Sequence, residues 1–378
     1  MTDDDVQPSP RTSMNTDGPI RYTVVGTGWR SQFFLCIARA LPDTHVVASV
    51  VTRDPDAFDR TTVGEHVPVV SGLERAIAAG RPDFVIVSVP RAVAPEIIRE
   101  SVRLGVPVLT ETPPAADIDG LRALWQDVGE QELVQVAEQY PSYPGHAARR
   151  ALVEQGVIGT PHDVQVSSTH DYHAVALIRS LLGSRAPGSG PVAVTAHRSE
   201  FPLADPQDRG GWTGQADPVP SGQLRVHLDL GDGRTGLHDF TDNQWHNPLR
   251  HRRVVVRGSL GEISDDRAVH LVDPRTVVDS ELVRRQIGVD LDLDGADLDH
   301  IQFEGRVVWR NPWVGARFMD DEIATATLLH ETGRWARGLT AGPYPLREGL
   351  QDAAVALAFA ESAATGTTVT VAPEAWTA

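Results

Sequence analysis

From Ile20 to the region of residue 140, short apolar runs alternate with stretches of helical periodicity. The runs IRYTVV (20 to 25), HVVASVV (45 to 51), FVIVSVP (84 to 90), VPVLT (106 to 110) and LVQVAEQY (133 to 140) are rich in β-branched residues and read as strands. Between the first two, FFLCIARAL sets Phe33, Phe34, Ile37 and Leu41 on one helical face, and LERAIAAG and EIIRESVRLG continue the alternation. Buried strands alternating with helices predict a parallel sheet covered on both faces. After residue 140 the texture changes. HAARRALVEQGVIGT reads as a helix ending at Gly156, VQVSST (164 to 169) as a strand, and HAVALIRSLLG as a short helix. In that helix Ala174, Leu177, Ile178, Leu181 and Leu182 share one face, with Asp171 as the expected N-cap and Gly183 as the stop. QLRVHLDLG, GRTGLHDFT, RRVVVRG and GEISDD alternate with period two and predict an open, mostly antiparallel sheet. A helix near residues 346 to 364 and a strand TTVTVAP close the chain.

Two segments carry little periodicity. Residues 1 to 19 are polar and rich in Pro, Ser and Asp, and are expected to form a disordered tail. Residues 184 to 223 are rich in Pro and Gly and are expected to loop over the surface. The expected organisation is therefore an α/β domain over 20 to 139, followed by an α+β domain over 140 to 378. The open sheet of the second domain is expected to pair copies into a homodimer or homotetramer.

Charge and composition narrow the partners. The formal net charge is -17, which gives no support to binding a nucleic-acid backbone. No run reaches 18 uncharged apolar residues, and the chain opens on Asp3, Asp4 and Asp5, so no membrane partner and a cytoplasmic location are expected. The single cysteine, Cys36, falls on a predicted helix and is expected to be buried. There is no lysine: all 34 basic side chains are arginine. Schiff-base chemistry and a lysine acid are thereby excluded, because arginine does not give up its proton.

GTGWRS (26 to 31) joins the first strand to the first helix and supplies G-x-G-x-x-S, close to the dinucleotide fingerprint. Gly26 would permit the turn and Gly28 the approach of a pyrophosphate. Trp29, Arg30 and Ser31 open the helix whose free N–H groups face the phosphates. At the end of the second strand, where an acid would bind ribose hydroxyls, VVTRDP offers Thr52 and Arg53 instead. NADP is favoured over NAD on this ground.

The order and spacing of GTGWRS, SVPRAVAP, GVPVLTETPP, VEQGVIGT, the helix after HDYH, and VRGSLGEI resemble the Gfo/Idh/MocA oxidoreductase family over nearly everything after residue 19. The resemblance implies an N-terminal Rossmann domain, an α+β domain with an open sheet, and NAD(P)-dependent oxidation or reduction, mostly of sugars and cyclitols. It adds Ser88, Val89, Pro90 and Glu111 to the cofactor groove. The family's strand-ending Glu-Lys-Pro becomes Glu111-Thr112-Pro113, and its catalytic histidine aligns with His173, while the aspartate three residues on becomes Ala176. Proton transfer must then fall to His173, Tyr172, Tyr140 or water, with Thr112 a candidate to hold a substrate oxygen. An imine substrate, which needs less acid assistance, and a redox-silent cofactor-binding role are the alternatives. His170, His238, Asp239 and His246 are lesser candidates. DLDLDGAD (290 to 297) starts like a calcium loop but has Ile301 where the bidentate glutamate belongs, and HDYH has no third ligand at metal spacing, so no metal is expected.

Overall fold

The structure, a computed structural model, describes residues 18–183, 191–288 and 295–377. Most of the expected tail, and residues 290–294 of the acidic run, lie outside the described residues. The first domain comprises β1 (Ile20–Val25), α1 (Trp29–Ala40), β2 (His45–Val51), β3 (Val69–Val70), α2 (Leu73–Gly80), β4 (Phe84–Val87), α3 (Ala94–Arg103), β5 (Val108–Thr110), α4 (Ile118–Val128) and β6 (Val134–Val136). Its six strands are all parallel in the order β3-β2-β1-β4-β5-β6. The order reverses between β1 and β4, and the carboxyl ends of the strands on either side of that point are where an open α/β sheet binds ligands. Strand β6 ends earlier than the apolar pattern suggests. Ala137 donates its N–H to the Thr110 carbonyl, and a short 3₁₀ turn over Tyr140–Ser142 follows, so Tyr140 stands on a turn and not at a strand end.

The second domain runs through α5 (Pro144–Glu154), β7 (Pro161–Val166), α6 (Asp171–Leu181), β8 (Val192–Ala204), β9 (Gln207–Asp208), β10 (Gly211–Trp212), β11 (Pro218–Asp229), β12 (Thr235–Thr241), β13 (Val254–Gly258), β14 (Gly261–Ser264), β15 (Arg267–Asp273), β16 (Thr276–Ile287), β17 (Asp297–Phe303) and β18 (Arg306–Arg310). It closes with α7 (Asp320–Ala336), α8 (Leu346–Thr365) and β19 (Val369–Val371). Eleven of these strands form one sheet, antiparallel except for the β7–β12 pair. The expected loop over 184 to 223, whose residues 184–190 lie outside the described residues, is largely strand. Residues 192–204 are the long strand β8, which buries Val192, Val194 and Ala196 on alternate positions while Pro202 sits near its far end. Backbone pairing with β11 across twelve positions outweighs Pro202, Pro218 and Pro220 within the paired strands. Asp171 also departs from expectation. It is the first residue of α6, with φ 39°, and the N-cap position falls on His170 with no side-chain capping bond. Cys36 is half-buried.

The two domains are fused through the last two helices. Helix α7, which carries no signal in the apolar pattern singled out above, buries Ile323, Ala326, Leu328 and Leu329 in the core that contains Ile20, Tyr22 and Phe34. Leu346, Leu350, Ala353 and Ala354 of α8 share a core with Val85, Leu121 and Val136. Ahead of α8, Tyr344 takes a hydrogen bond from Val136 N–H and donates its own N–H to Gln135 Oε1, which covers the edge of β6. Buried Arg179 on α6 then pairs with Glu348 at 2.7 Å and Asp352 at 2.6 Å on α8. On the opposite face of the large sheet, Val269, Leu271, Val277 and Val283 are exposed. Among the described residues no helix is long and apolar enough to cross a membrane.

Burial holds several histidines uncharged. His45 packs against Tyr22, Trp313 and His330, His146 lies beside Arg149, and His238 stacks on Phe359. Desolvation pushes His45 and His146 down to about 3 and His238 down to about 4. Between those values and roughly pH 6.5 the unfolded chain binds protons that the folded chain refuses, so stability is fully present above pH 6.5 and is lost as the pH falls. Each of the three contributes a slope of up to about 1.4 kcal/mol per pH unit in that window. Thermal unfolding is therefore expected to show a midpoint that drops steadily from pH 7 to pH 5. A midpoint constant over that range would contradict neutral burial.

Candidate active site

The turn after β1 is shaped for a phosphate. Gly26 has φ 112°, and a Cβ there would lie 2.1 Å from the Ser88 carbonyl oxygen, so only glycine lets β1 and β4 close at this point. Gly28 is the N-cap residue of α1, and nothing lies within 4 Å of where its Cβ would stand. That open face, the unpaired N–H groups of a twelve-residue helix and a first turn free of acids together fit a dinucleotide pyrophosphate. Ser31, expected to touch the cofactor, is instead fully buried and donates to the Ser88 hydroxyl at 3.1 Å. It serves the close packing of helix on strand for which the fingerprint uses its third glycine. Ser88 is thus turned inward as well, while Val89 is half-buried and Pro90 exposed. At the end of β2, Thr52 N–H is held by the Val70 carbonyl, and Arg53 is exposed with no hydrogen bond or ion pair among the described residues. Trp29 is exposed at the helix start, edge-on to Phe33 and beneath the Arg209 guanidinium at 4.1 Å.

Between the domains lies a cavity of about 740 Å³. Its Rossmann side is made by Trp29, Arg30, Phe33, Glu111 and Thr112, and aromatic and imidazole rings from residues 140 to 173 face them. Arg30 does not reach toward a phosphate. Its Nε lies 3.0 Å from Glu111 Oε1, its Nη1 3.2 Å from Asp321 Oδ2 and its Nη2 3.2 Å from Thr325 Oγ1, with Phe33 and Phe34 beneath the guanidinium. Burial opposes the charge on Arg30, but the two carboxylates outweigh it and hold the cation firmly protonated. Burial also pushes the Glu111 carboxyl up, against the pull of Arg30. Glu111 is therefore the partner of Arg30, its oxygen accepts from Thr112 N–H at 3.4 Å, and the peptide to Pro113 is cis. Asp321 takes a second hydrogen bond from Gln139 Nε2 at 3.2 Å.

His173 is buried at the start of α6, and its Nδ1 lies 2.6 Å from Glu138 Oε2. Burial drives the imidazole down to about 3, so the ring is neutral at physiological pH. Where Glu138 is the acceptor, the ring proton stands on Nδ1 and the Nε2 lone pair is free. Glu138 is itself fixed by Tyr140 N–H at 3.2 Å. The Tyr140 ring lies 4.3 Å from the His173 ring and stacks on Tyr143 at 4.8 Å. Tyr172 lies 4.5 Å from His173; burial raises its phenol well above the ordinary range, partly offset by a hydrogen bond from the Thr112 side chain. The phenol is a donor at neutral pH. His170, driven down to about 3 by burial, sits 5.1 Å from His173 and edge-on to Trp245.

His173, Thr112, Tyr172, Tyr140, Arg30 and Glu111 are thus brought to one cleft, together with Trp29, His170 and His246. Gly26 and Gly28 stand in the turn after β1, and Thr52 and Arg53 follow β2; none of the four lines the cleft. His238 and Asp239 stand apart from the cleft: His238 is a fully buried residue of β12 bonded to the Val166 carbonyl, and Asp239 accepts from Gln223. Among the described residues no three His, Cys, Asp or Glu side chains are grouped to hold a metal ion. The pattern reading passed over Asp321, Tyr143, Arg209, Trp245 and Arg252 as site residues and gave Glu138 no role. The acidic triplet 320 to 322, typical of a helix start, was the available signal for Asp321.

Residues 20–139 match the model of the GFO_IDH_MocA family, described as an oxidoreductase family with an NAD-binding Rossmann fold. No curated protein matches the sequence. Among solved structures, levoglucosan dehydrogenase in complex with NADH superposes with a TM-score of 0.66 at 16% identity, over 94% of this chain and 100% of that one. A myo-inositol dehydrogenase from Corynebacterium glutamicum gives a TM-score of 0.63 at 19% identity, over 94% and 100%. An oxidoreductase from Agrobacterium radiobacter, in complex with NAD+, L-tartaric acid and magnesium, gives 0.64 at 16% identity, over 93% and 98%. At these identities the likeness establishes the shared fold.

Proposed function

From the premise that this chain belongs to the Gfo/Idh/MocA oxidoreductases, with its NAD-binding domain at residues 20–139, we propose that it interconverts an alcohol and a carbonyl on a small polar substrate such as a sugar or cyclitol. We propose further that it prefers NADP. The observation that carries the reading is a single cleft lined both by Trp29 and Arg30, which open the helix behind the phosphate-shaped turn, and by His173, whose Nδ1 meets Glu138. A bound nicotinamide cofactor would accept or supply the hydride. The chain's own residues handle the proton. His173 Nε2 accepts the hydroxyl proton of an alcohol, and Glu138 stabilises the imidazolium that forms; in the other direction the pair returns the proton to a carbonyl oxygen. Tyr172 donates to that oxygen and is itself held by the hydrogen bond from Thr112, so the two keep it in place. No lysine is needed. Arg53, exposed and unpaired where an acid would bind ribose hydroxyls, supports the preference for a 2′-phosphate.

Three experiments test this reading. His173→Ala is expected to lower turnover by roughly 10²- to 10⁴-fold. Glu138→Gln should follow in the same direction with an altered pH profile, and Thr112→Val should mainly raise KM, since it removes binding shared by ground and transition states. Full turnover in His173→Ala would dismiss the assignment. For the cofactor, titration should find NADPH bound more tightly than NADH, with the difference reduced in Arg53→Ala; equal affinities in the parent protein would contradict the preference. Finally, the exposed strip of Val269, Leu271, Val277 and Val283 is proposed to pair with a second copy. Light scattering at micromolar concentration should report a dimer or larger assembly, and a monomer would remove the proposal.

A further inference from the structure

We infer that the substrate carries a carboxylate, or another compact anion of the same reach, held by Arg252 and Arg209 where the cleft opens beyond Trp245. The inference rests on the dehydrogenase reading for treating this cleft as the substrate site. Its basis is the charge inside the cleft. Four arginines line it, Arg30, Arg149, Arg209 and Arg252, against two lining carboxylates, Glu111 and Asp321. Both carboxylates are taken by Arg30. Arg149 is engaged by the Asp265 carbonyl at 2.6 Å and by Asp266 at 3.0 Å. Arg209 and Arg252 have no carboxylate partner among the described residues.

The acids of the neighbouring loops each have a partner of their own, and one of them, Asp208, lines the recess beside Arg209. Asp205 accepts from Asn243 at 2.7 Å, Asp208 from Gly210 N–H at 2.6 Å, and Asp242 pairs with Arg198 at 2.9 Å. Among the side chains lining the cleft, arginines outnumber carboxylates four to two in a chain with net charge -17. Such a cleft concentrates anions that the rest of the surface repels. A guanidinium presents a planar fork that matches a carboxylate, and arginine keeps that charge at every working pH. One wall of the cleft leads from the imidazole toward Arg209. From His173 the rings run to His170 at 5.1 Å and on to Trp245 at 4.6 Å, and Trp245, His246 and Arg209 share the adjoining recess. The reacting carbon would sit at His173 and the acid at the arginines.

The test is equilibrium binding by calorimetry, with NADPH present, of pairs that differ in the acid: D-glucuronate against D-glucose, and D-gluconate against D-glucitol. The acid of at least one pair is expected to bind about tenfold tighter or more at low salt, and the advantage should shrink as salt rises. Arg252→Gln and Arg209→Gln should each cut that advantage, Arg252→Lys should keep part of it, and NADPH affinity should hold. Equal binding within both pairs would overturn the inference, as would an acid preference that survives in the double Gln variant. A matching loss of NADPH affinity would also overturn it, since the arginines would then serve the cofactor's phosphates. Acid binding without any nicotinamide absorbance change would leave the inference standing and sink the dehydrogenase reading. Turnover of neutral sugars alone would do the reverse.

Discussion

One guanidinium holds the cleft together. Arg30 leaves the helix that begins at the phosphate-binding turn, pairs with Glu111 at the end of β5, and reaches Asp321 and Thr325 on α7. Three segments far apart in sequence are thereby fixed to one point in a largely buried setting. Desolvating a cation and two carboxylates costs several kcal/mol per ion, of order, and the mutual attraction repays it only when the geometry is close. Removing any member would leave an uncompensated charge in the wall of the site. The arrangement is therefore a constraint on position more than a source of stability, and it sets where Thr112 stands relative to His173.

The same logic recurs on the other side of the molecule. Arg179 ties α6 to α8 through Glu348 and Asp352, and Tyr344 adds its hydroxyl to Asp352. Helix α6 carries His173 in its first turn, so this ring is anchored at its own position by Glu138 and, six residues further on, by the buried cluster at Arg179. The apolar cores contributed by α7 and α8 supply the bulk of the domain contact, and the ion pairs decide its register. Non-directional burial alone would tolerate a slide of one helical turn; paired charges do not.

Local patterns made most of the fold legible. Continuous β-branched runs marked β1, β2 and β4, and period-two alternation marked β11 to β14, because burial on two faces or one writes itself directly into the order of residues. Strand β8 was missed because Pro202 within it and the Pro- and Gly-rich residues flanking it suggest a loop, and only its partner β11 supplies the pairing that overrides them. In the site, His173, Thr112, Tyr172 and Tyr140 could be named from motif order. The roles of Arg30 and Glu138 could not, since each is set by a partner 35 or more positions away. Ser31 shows the opposite failure: its place in the motif is as read, but its side chain faces the packing interface and not the groove.

The contact between Arg209 and Trp29 has a consequence of its own. The short hairpin of β9 and β10 brings Arg209 from the second domain across to the first residue of α1, so the stack spans the mouth of the cleft. A cation over an exposed indole contributes only about 0.5 to 1 kcal/mol. A latch that weak is lifted by thermal motion alone at little more than RT. Admission of cofactor and substrate would then be governed by a shallow equilibrium of one hairpin, while the deeply paired floor around Arg30 stays still.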